Sequence, residues 1–331
     1  MAAPRTVSPQ RISAMLASCG DFELVELVDT GRVINVGVGG GATLIEVDGV
    51  PVFAKRIPLT DRELAEPGST ANLFDLPMFC QYGIGGPGFN AWRELAANII
   101  VTDAVLAGET RSFPILYHWR VLPGRAPIAD EHADIDAVVT AQGNSPAVRA
   151  RLEALAAAPS SLVLFSEYIP HPITDWLRED PAGKAAAVEE QFSEIVTFLR
   201  DRGLLHMDGH FGNMRTDTER IYLTDFGLAL SADFDLSDSE RLFVEQHACY
   251  DADYAAMRLV NWLVTDIPML PSGSPITRNE YVLQCAGGHI PPDVPPAIAA
   301  IVARHAPAAA KMNAFIWKLF DGEVHAGYHE M

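Results

Sequence analysis

The sequence predicts an α+β chain in two lobes, an N-terminal lobe built on an antiparallel sheet and a mainly helical C-terminal lobe. Three observations predict it. β-like runs crowd into the first half, while helical apolar periodicity dominates the second. The 331 residues, 49% of them hydrophobic, are long enough for one large or two modest domains with a sizeable core. A dense group of polar side chains, His206, Asp208, His210, Asn213 and Asp225, falls in residues 204–231, just past the expected division. The lobes are drawn at 1–169 and 170–331, with two irregular insertions, 58–88 and 123–161, in the first.

Taken in order, Ser8 and Pro9 read as N-cap and first residue of a short amphipathic helix over 9–19, stopped by Gly20. Three strand-like runs follow, 22–29, 42–47 and 50–57. Asp48-Gly49 between the last two signals a hairpin. A glycine-rich turn containing Gly37, Gly39, Gly40 and Gly41 lies before the second run, and the third carries Lys55. Such a turn is either a flexible hairpin tip or a place where backbone N–H groups approach a ligand closely. Lys55 draws notice because the chain has only four lysines, with Lys184, Lys311 and Lys318.

Residues 58–88, rich in Pro and Gly, read as an insertion over a ligand site or as structural padding. Asn90 caps a helix running to about Gly108, and its Glu94 is either a partner for Lys55 or a solvated helix-face residue. Glu63 and Glu66 are rivals, disfavoured by the Pro67-Gly68 break beside them. Residues 113–122 are strand-like. Ser145-Pro146 opens an alanine-rich helix expected to pack at the surface. Residues 162–169 form a buried strand that Pro170 and Pro172 terminate. Val188, Phe192, Ile195, Val196 and Leu199 make a helical stripe over 185–202, ended by Gly203. In the tail, 298–319 is helical, and 271–276 and 290–296 are proline-rich. His305, His325 and His329 lack metal-ligand spacing.

The chemistry concentrates in His206-Met207-Asp208-Gly209-His210-Phe211-Gly212-Asn213, then an apolar strand 221–224, then Asp225-Phe226-Gly227. One loop offers a carboxylate, Asp208, and five residues on an amide oxygen, Asn213. A hairpin then returns a second carboxylate, Asp225. This stretch resembles the catalytic loop and Asp-Phe-Gly motif of the protein-kinase superfamily. Its H-x-D-x-H-x-x-N form is closer to the aminoglycoside-phosphotransferase and atypical-kinase branches.

The resemblance implies a two-lobed protein-kinase-like fold and transfer of the γ-phosphoryl of ATP to a hydroxyl acceptor with Mg²⁺. It implies Asp208 as base or orienting group, and Asn213 and Asp225 as metal ligands. Gly37, Gly39, Gly40 and Lys55 would meet the phosphates, and Glu94 would pair with Lys55. Glu167 and Ile169 would meet the adenine edge through their backbone, with Ser166 at the gatekeeper position. His210 would donate to the γ-phosphate or brace the loop, His206 would fix it, Phe226 would be core, and Asp253 would brace it from the next helix. The chain departs from the family pattern at Ala42, where a third glycine is expected, and at Met207, where an arginine is common.

The acceptor is open. A net charge of −19 argues against nucleic acid or an anionic membrane and leans towards a neutral or basic acceptor. The short segment after Asp225 points to a small molecule or one dedicated protein. A nucleotide-binding scaffold without catalysis is the rival from another class. Cys19, Cys80, Cys249 and Cys285 have no zinc or CxxC spacing and read as reduced thiols in a cytoplasmic protein. The N-terminus has no long apolar core, so no signal peptide is expected, and no run reaches membrane-spanning length.

Overall fold

A computed structural model describes residues 9–37, 40–127, 129–267 and 274–328. Ser8, Gly39, residues 271–273 of the 271–276 stretch and His329 lie outside the described residues. The fold is α+β and falls into two compact units, Met1–Ile169 with Asp225–Arg241, and Pro170–Thr224 with Leu242–Met331. The first stretch of the first unit ends at Ile169. Asp225–Arg241, however, returns to the first unit rather than staying with the second.

The first unit is organised by a five-stranded antiparallel sheet of β1 (Arg32–Gly37), β2 (Gly40–Val47), β3 (Val50–Leu59), β4 (Leu116–Pro123) and β5 (Ser160–Glu167), in the order β1-β2-β3-β5-β4. Asp48 and Gly49, both at positive φ, close the β2–β3 hairpin. Side chains alternate between the two faces of the sheet. Val52, Ala54, Val163 and Phe165 share a core with Ile12 and Leu16 of α1 (Pro9–Ser18) and Leu24 and Val28 of α2 (Asp21–Thr30). Ile57, Leu59, Leu162 and Leu164 face Trp92 and Leu95 instead.

Residues 22–29 are thus helix, not the expected strand, and the first strand is 32–37. The acids of this run suit a helix start: the Glu23 carboxylate accepts the Gly20 N–H at 2.6 Å. Leu24 and Val28, four apart, are buried while Phe22 is exposed, a helical pattern and not an alternating one.

The two insertions are one body. The first holds α3 (Asp61–Ala65), capped by Thr60, and a 3₁₀ turn at Met78–Tyr82. After it comes α4 (Ala91–Leu106), capped by Asn90 Oδ1 on the Trp92 N–H at 2.9 Å. The second holds α5 (Ile135–Ala141) and α6 (Pro146–Ala157), the latter capped by Ser145. Phe74, Leu76, Cys80 and Phe89 of the first bury against Val139, Val148 and Leu152 of the second. The helix at 146–157 is therefore not merely surface-packed. Its Arg151 is buried and pairs with fully buried Glu63 at 2.9 Å, while Glu63 also accepts the Ala91 N–H at 2.8 Å. Glu63 is committed to this join.

The second unit carries a small sheet of His171–Pro172, Met214–Thr216 and Ile221–Leu223. Around it are α7 (Ile173–Glu179), α8 (Pro181–Asp201), α10 (Tyr250–Asp266), α11 (Pro275–Ala286) and α12 (Pro296–Phe320). The boundary at 241/242 falls within α9 (Asp238–Gln246). Four members of the α8 stripe, Val188, Phe192, Ile195 and Leu199, are buried, and Gly203 follows at φ 59°. Among the described residues no helix is long and apolar enough to cross a membrane, and all four cysteines are free thiols.

Arg151→Met should destabilise the first unit by about 3 kcal/mol at pH 7, because it leaves the Glu63 carboxylate buried and unpaired. Burial opposes ionisation of Glu63, but Arg151 and its other hydrogen bonds outweigh this and hold its pKa below the ordinary value. Its contribution in the wild type is therefore lost as pH falls. In the variant the carboxyl favours its neutral form, so the gap between the two proteins should narrow between pH 7 and pH 4 in urea unfolding. A gap that widened towards acid would refute the assignment.

Candidate functional site

In the first unit, β3 register decides where Lys55 points. It pairs with Ala42 on β2 and Leu164 on β5, on the face covered by α4. There the Lys55 Nζ lies 2.7 Å from Glu94 Oε1 and 2.8 Å from Asp225 Oδ1. Glu94, in the first turn of α4, is the carboxylate the structure brings to Lys55; neither Glu63 nor Glu66 pairs with it. Burial alone would depress the Lys55 ammonium, but the two carboxylates outweigh it and raise its pKa. Burial raises Glu94 to about 7, with Lys55 opposing and Asp225 adding to the rise.

Asp225 stands at φ 66°, a region that costs a non-glycine residue strain. Its Oδ1 is held by Lys55 and by the Gly227 N–H at 3.2 Å, and its side chain remains 39% exposed. A side chain at Gly227 would meet Asp225 Oδ1 at 3.2 Å and Glu94 Oε2 at 3.4 Å, so glycine keeps this cluster compact. Phe226 is buried, 6.0 Å from Phe113 between ring centroids.

The glycine hairpin has a packing reason of its own. Gly37 pairs with Gly40 across β1 and β2. Gly40 has φ 112°, and a Cβ there would fall 2.0 Å from the Arg56 carbonyl oxygen. Glu167 ends β5; its N–H donates to the Ile115 carbonyl at 2.8 Å and its carboxylate accepts the Ile115 N–H at 3.2 Å. Ile169, the last residue before the division, is buried.

In the second unit, residues 206–213 form a braced loop. His206 is fully buried. Its Nδ1 accepts the Asp208 N–H at 3.2 Å and its Nε2 lies 3.0 Å from the Thr224 carbonyl, which fits a neutral ring protonated on Nε2. Asn213 Nδ2 donates to the Asp208 carbonyl at 3.0 Å and to its Oδ2 at 2.9 Å. The amide's Oδ1 is the end that Asp208 does not hold. His210 Nδ1 accepts the Gly212 N–H at 2.9 Å, capping the 3₁₀ turn Phe211–Asn213, and its Nε2 is 3.6 Å from Asp208 Oδ2. The Thr224 N–H and hydroxyl donate to the Asn213 carbonyl at 2.8 and 2.9 Å.

The brace from the next helix is Asp251, not the expected Asp253. Asp251 accepts the His206 N–H at 2.6 Å and the Met207 N–H at 2.9 Å. Asp253, two residues on, faces away and accepts from the Tyr328 hydroxyl. Along the Asp251 face of α10, Tyr254 lies against Gly209 and the Arg258 guanidinium stacks 4.6 Å from the Phe211 ring centroid. Residues i, i+3 and i+7 share a helix face, which is the signal that singles out Asp251.

Asp225 and Asn213 each offer oxygen, the donor Mg²⁺ takes. Among the described residues no group of three or more His, Cys, Asp or Glu is arranged to hold a metal alone. An ion on either residue would need phosphate and water oxygens to complete its shell, as Mg²⁺ commonly does. No protein-family model matches the chain, and no curated protein matches it.

Burial pushes the Asp251 carboxyl up from 3.8 to about 6, against the His206 and Met207 N–H groups that favour its ionised form. Its contribution to stability is therefore full below about pH 4 and is lost as pH rises through about 6. Relative to Asp251→Asn, the wild type should lose on the order of 2 kcal/mol across that window in thermal unfolding. Asp253→Asn should leave this profile unchanged. The opposite slope would mean that the N–H bonds, not burial, dominate.

Proposed function

We propose that this chain is a phosphotransferase of the protein-kinase-like kind, moving the γ-phosphoryl of ATP, with Mg²⁺, to a hydroxyl acceptor. The observation that carries the reading is the buried Lys55 shared between Glu94 and Asp225. The motif resemblance ties these three positions, 39 and 170 residues apart in sequence, to one task. Nothing in a merely structural strand lysine calls for two carboxylates, one of them on a backbone at positive φ.

In this reading Lys55 binds phosphate oxygens and Glu94 holds the ammonium in place as its charge is shared. Asp225 and Asn213 offer oxygens to the metal, and Gly37, Gly39 and Gly40 frame the phosphates. The backbone of Glu167 and Ile169 takes the base. Mg·ATP supplies the phosphoryl group: a bond from the acceptor oxygen to phosphorus forms as the bond to the ADP oxygen breaks. Asp208 orients the acceptor hydroxyl and takes its proton. Asn213 fixes the Asp208 carboxylate through its amide, and His210, beside the same oxygen, is poised to donate or to brace.

Asp208→Asn should lower kcat by about 10²–10⁴-fold with KM for ATP little changed. Asp225→Ala should abolish turnover and also remove the Tm increase that Mg·ATP gives the wild type. Circular dichroism would verify the fold of each. Radiolabelled phosphate transfer into protein and small-molecule fractions of an extract reads the activity. Wild type that binds Mg·ATP but transfers to neither fraction and does not hydrolyse it would support the scaffold reading; no Tm shift at millimolar nucleotide would remove both.

A further inference from the structure

Two arginines of the first unit are fully enclosed, and both are paired: Arg93 lies 2.6 Å from Glu240 and Arg151 lies 2.9 Å from Glu63. The second unit treats two arginines differently. Arg258 on α10 and Arg278 on α11 are half-buried, and each has an Nε enclosed without a hydrogen-bond partner, as Arg93 and Arg151 each have an Nη1; the difference lies in the carboxylate. Among the described residues neither guanidinium has a carboxylate within ion-pairing distance. They also lie close enough for the Arg258 charge to disfavour the charged form of Arg278, on top of its burial. Two like charges, partly desolvated and unpaired, cost stability unless something neutralises them.

Their place gives the pair a use. Arg258 stacks on Phe211, three residues from Asp208, and the face of α10 that carries it also carries Asp251 and Tyr254 against the loop. The Asp208 charge reaches Arg258, although no ion pair forms. The aromatic stack fixes the plane of a guanidinium whose donors suit the paired oxygens of a phosphate or carboxylate.

We propose that Arg258 and Arg278 form an anion subsite beside Asp208, which selects an acceptor carrying a phosphate or carboxylate group as well as the reacting hydroxyl. The nature of the acceptor rests on the phosphotransferase reading, whereas the anion subsite stands on the Arg258–Phe211 stack and on the packing of α11 against α10. It reverses the expectation drawn from net charge: the overall field of a −19 chain repels anions, and a local pair of cations without an ion-paired carboxylate among the described residues is what admits one.

Calorimetry with three probes tests it: glycerol 3-phosphate, malate and uncharged glycerol. The wild type should bind the first, the second or both, the ranking distinguishing phosphate from carboxylate, and should not bind glycerol. Arg258→Gln and Arg278→Gln should each weaken anion binding by about tenfold or more, while Mg·ATP affinity stays within about twofold. Arg258→Lys should fall between wild type and Arg258→Gln, because charge is kept and the fork lost. It also serves as the reading if the Gln variant fails to fold. Wild type that binds neither anion, Gln or Lys variants as tight as wild type, or a matching loss of Mg·ATP affinity would each overturn the subsite. Anion binding that survives in Asp225→Ala while wild type fails to bind Mg·ATP would sink the phosphotransferase reading and leave the subsite intact. The reverse pattern would do the opposite.

Discussion

One ammonium group constrains the first unit more than any other atom. Lys55 Nζ is buried, and a buried charge is tolerated only when paired and hydrogen-bonded. Its two partners come from places that no local preference would bring together: the first turn of α4 and a residue 170 positions away. Much of the surrounding architecture serves that meeting. The β3 register turns Lys55 to the α4 face, Asn90 starts α4 where Glu94 can reach, and Gly227 removes the side chain that would crowd both carboxylates. Glu63, sealed into the Arg151 pair, anchors the N-terminus of the same helix through the Ala91 N–H. The insertions thereby support the helix that positions Glu94.

What the sequence reveals and what it hides follow one physical rule. Lys55, Glu94, Asp208, Asn213 and Asp225 are legible because each stands in a local pattern: a lysine in a strand, an acid in a capped helix, and polar residues at fixed loop spacing. The β2–β3 hairpin is legible from Asp48-Gly49 for the same reason. Residues 22–29 mislead because the run is short and mostly apolar, although its acids at 23, 26 and 29 recur at the three-residue spacing of a helix. Only the Gly20–Glu23 bond and the burial of Leu24 with Val28 resolve it. The insertions are opaque because their defining contact, Glu63 with Arg151, spans 88 residues. Asp251 and Asp253 both lie in the first turn of α10, and helix phase, which puts Asp251 on the face of Tyr254 and Arg258, separates the loop-facing one from the Tyr328-facing one.

Two residues of the site hold left-handed backbone without being glycine, Met207 at φ 67° and Asp225 at φ 66°. Such conformations cost about 1–3 kcal/mol each and persist when surrounding bonds over-determine them. Each has those bonds. The Met207 N–H is taken by Asp251, and the Asp225 carboxylate by Lys55 and the Gly227 N–H. Glycine would relieve the strain at either place but would lose what the side chain does. Met207 is buried in the second unit, and Asp225 supplies a carboxylate to Lys55. Strain is thus retained where the side chain is needed and satisfied by polar partners on rigid elements.

The same reasoning separates the two kinds of arginine. Arg93 and Arg151 are structural cations: each is buried, each has a carboxylate within hydrogen-bonding distance, and each also stacks on a phenylalanine, Phe89 or Phe74. Arg258 has the aromatic platform, Phe211, but among the described residues lacks the carboxylate, in a chain with 43 acidic side chains. Arg258 faces the loop, where the Asp208 charge favours its ionised form without pairing with it, and its own charge disfavours that of Arg278. Packing alone does not require that arrangement, since a Met or Gln at 258 would also cover Phe211 without the repulsion from Arg278. In the proposed subsite the charge at 258, which packing on Phe211 does not call for, is what a ligand oxyanion beside Asp208 would meet.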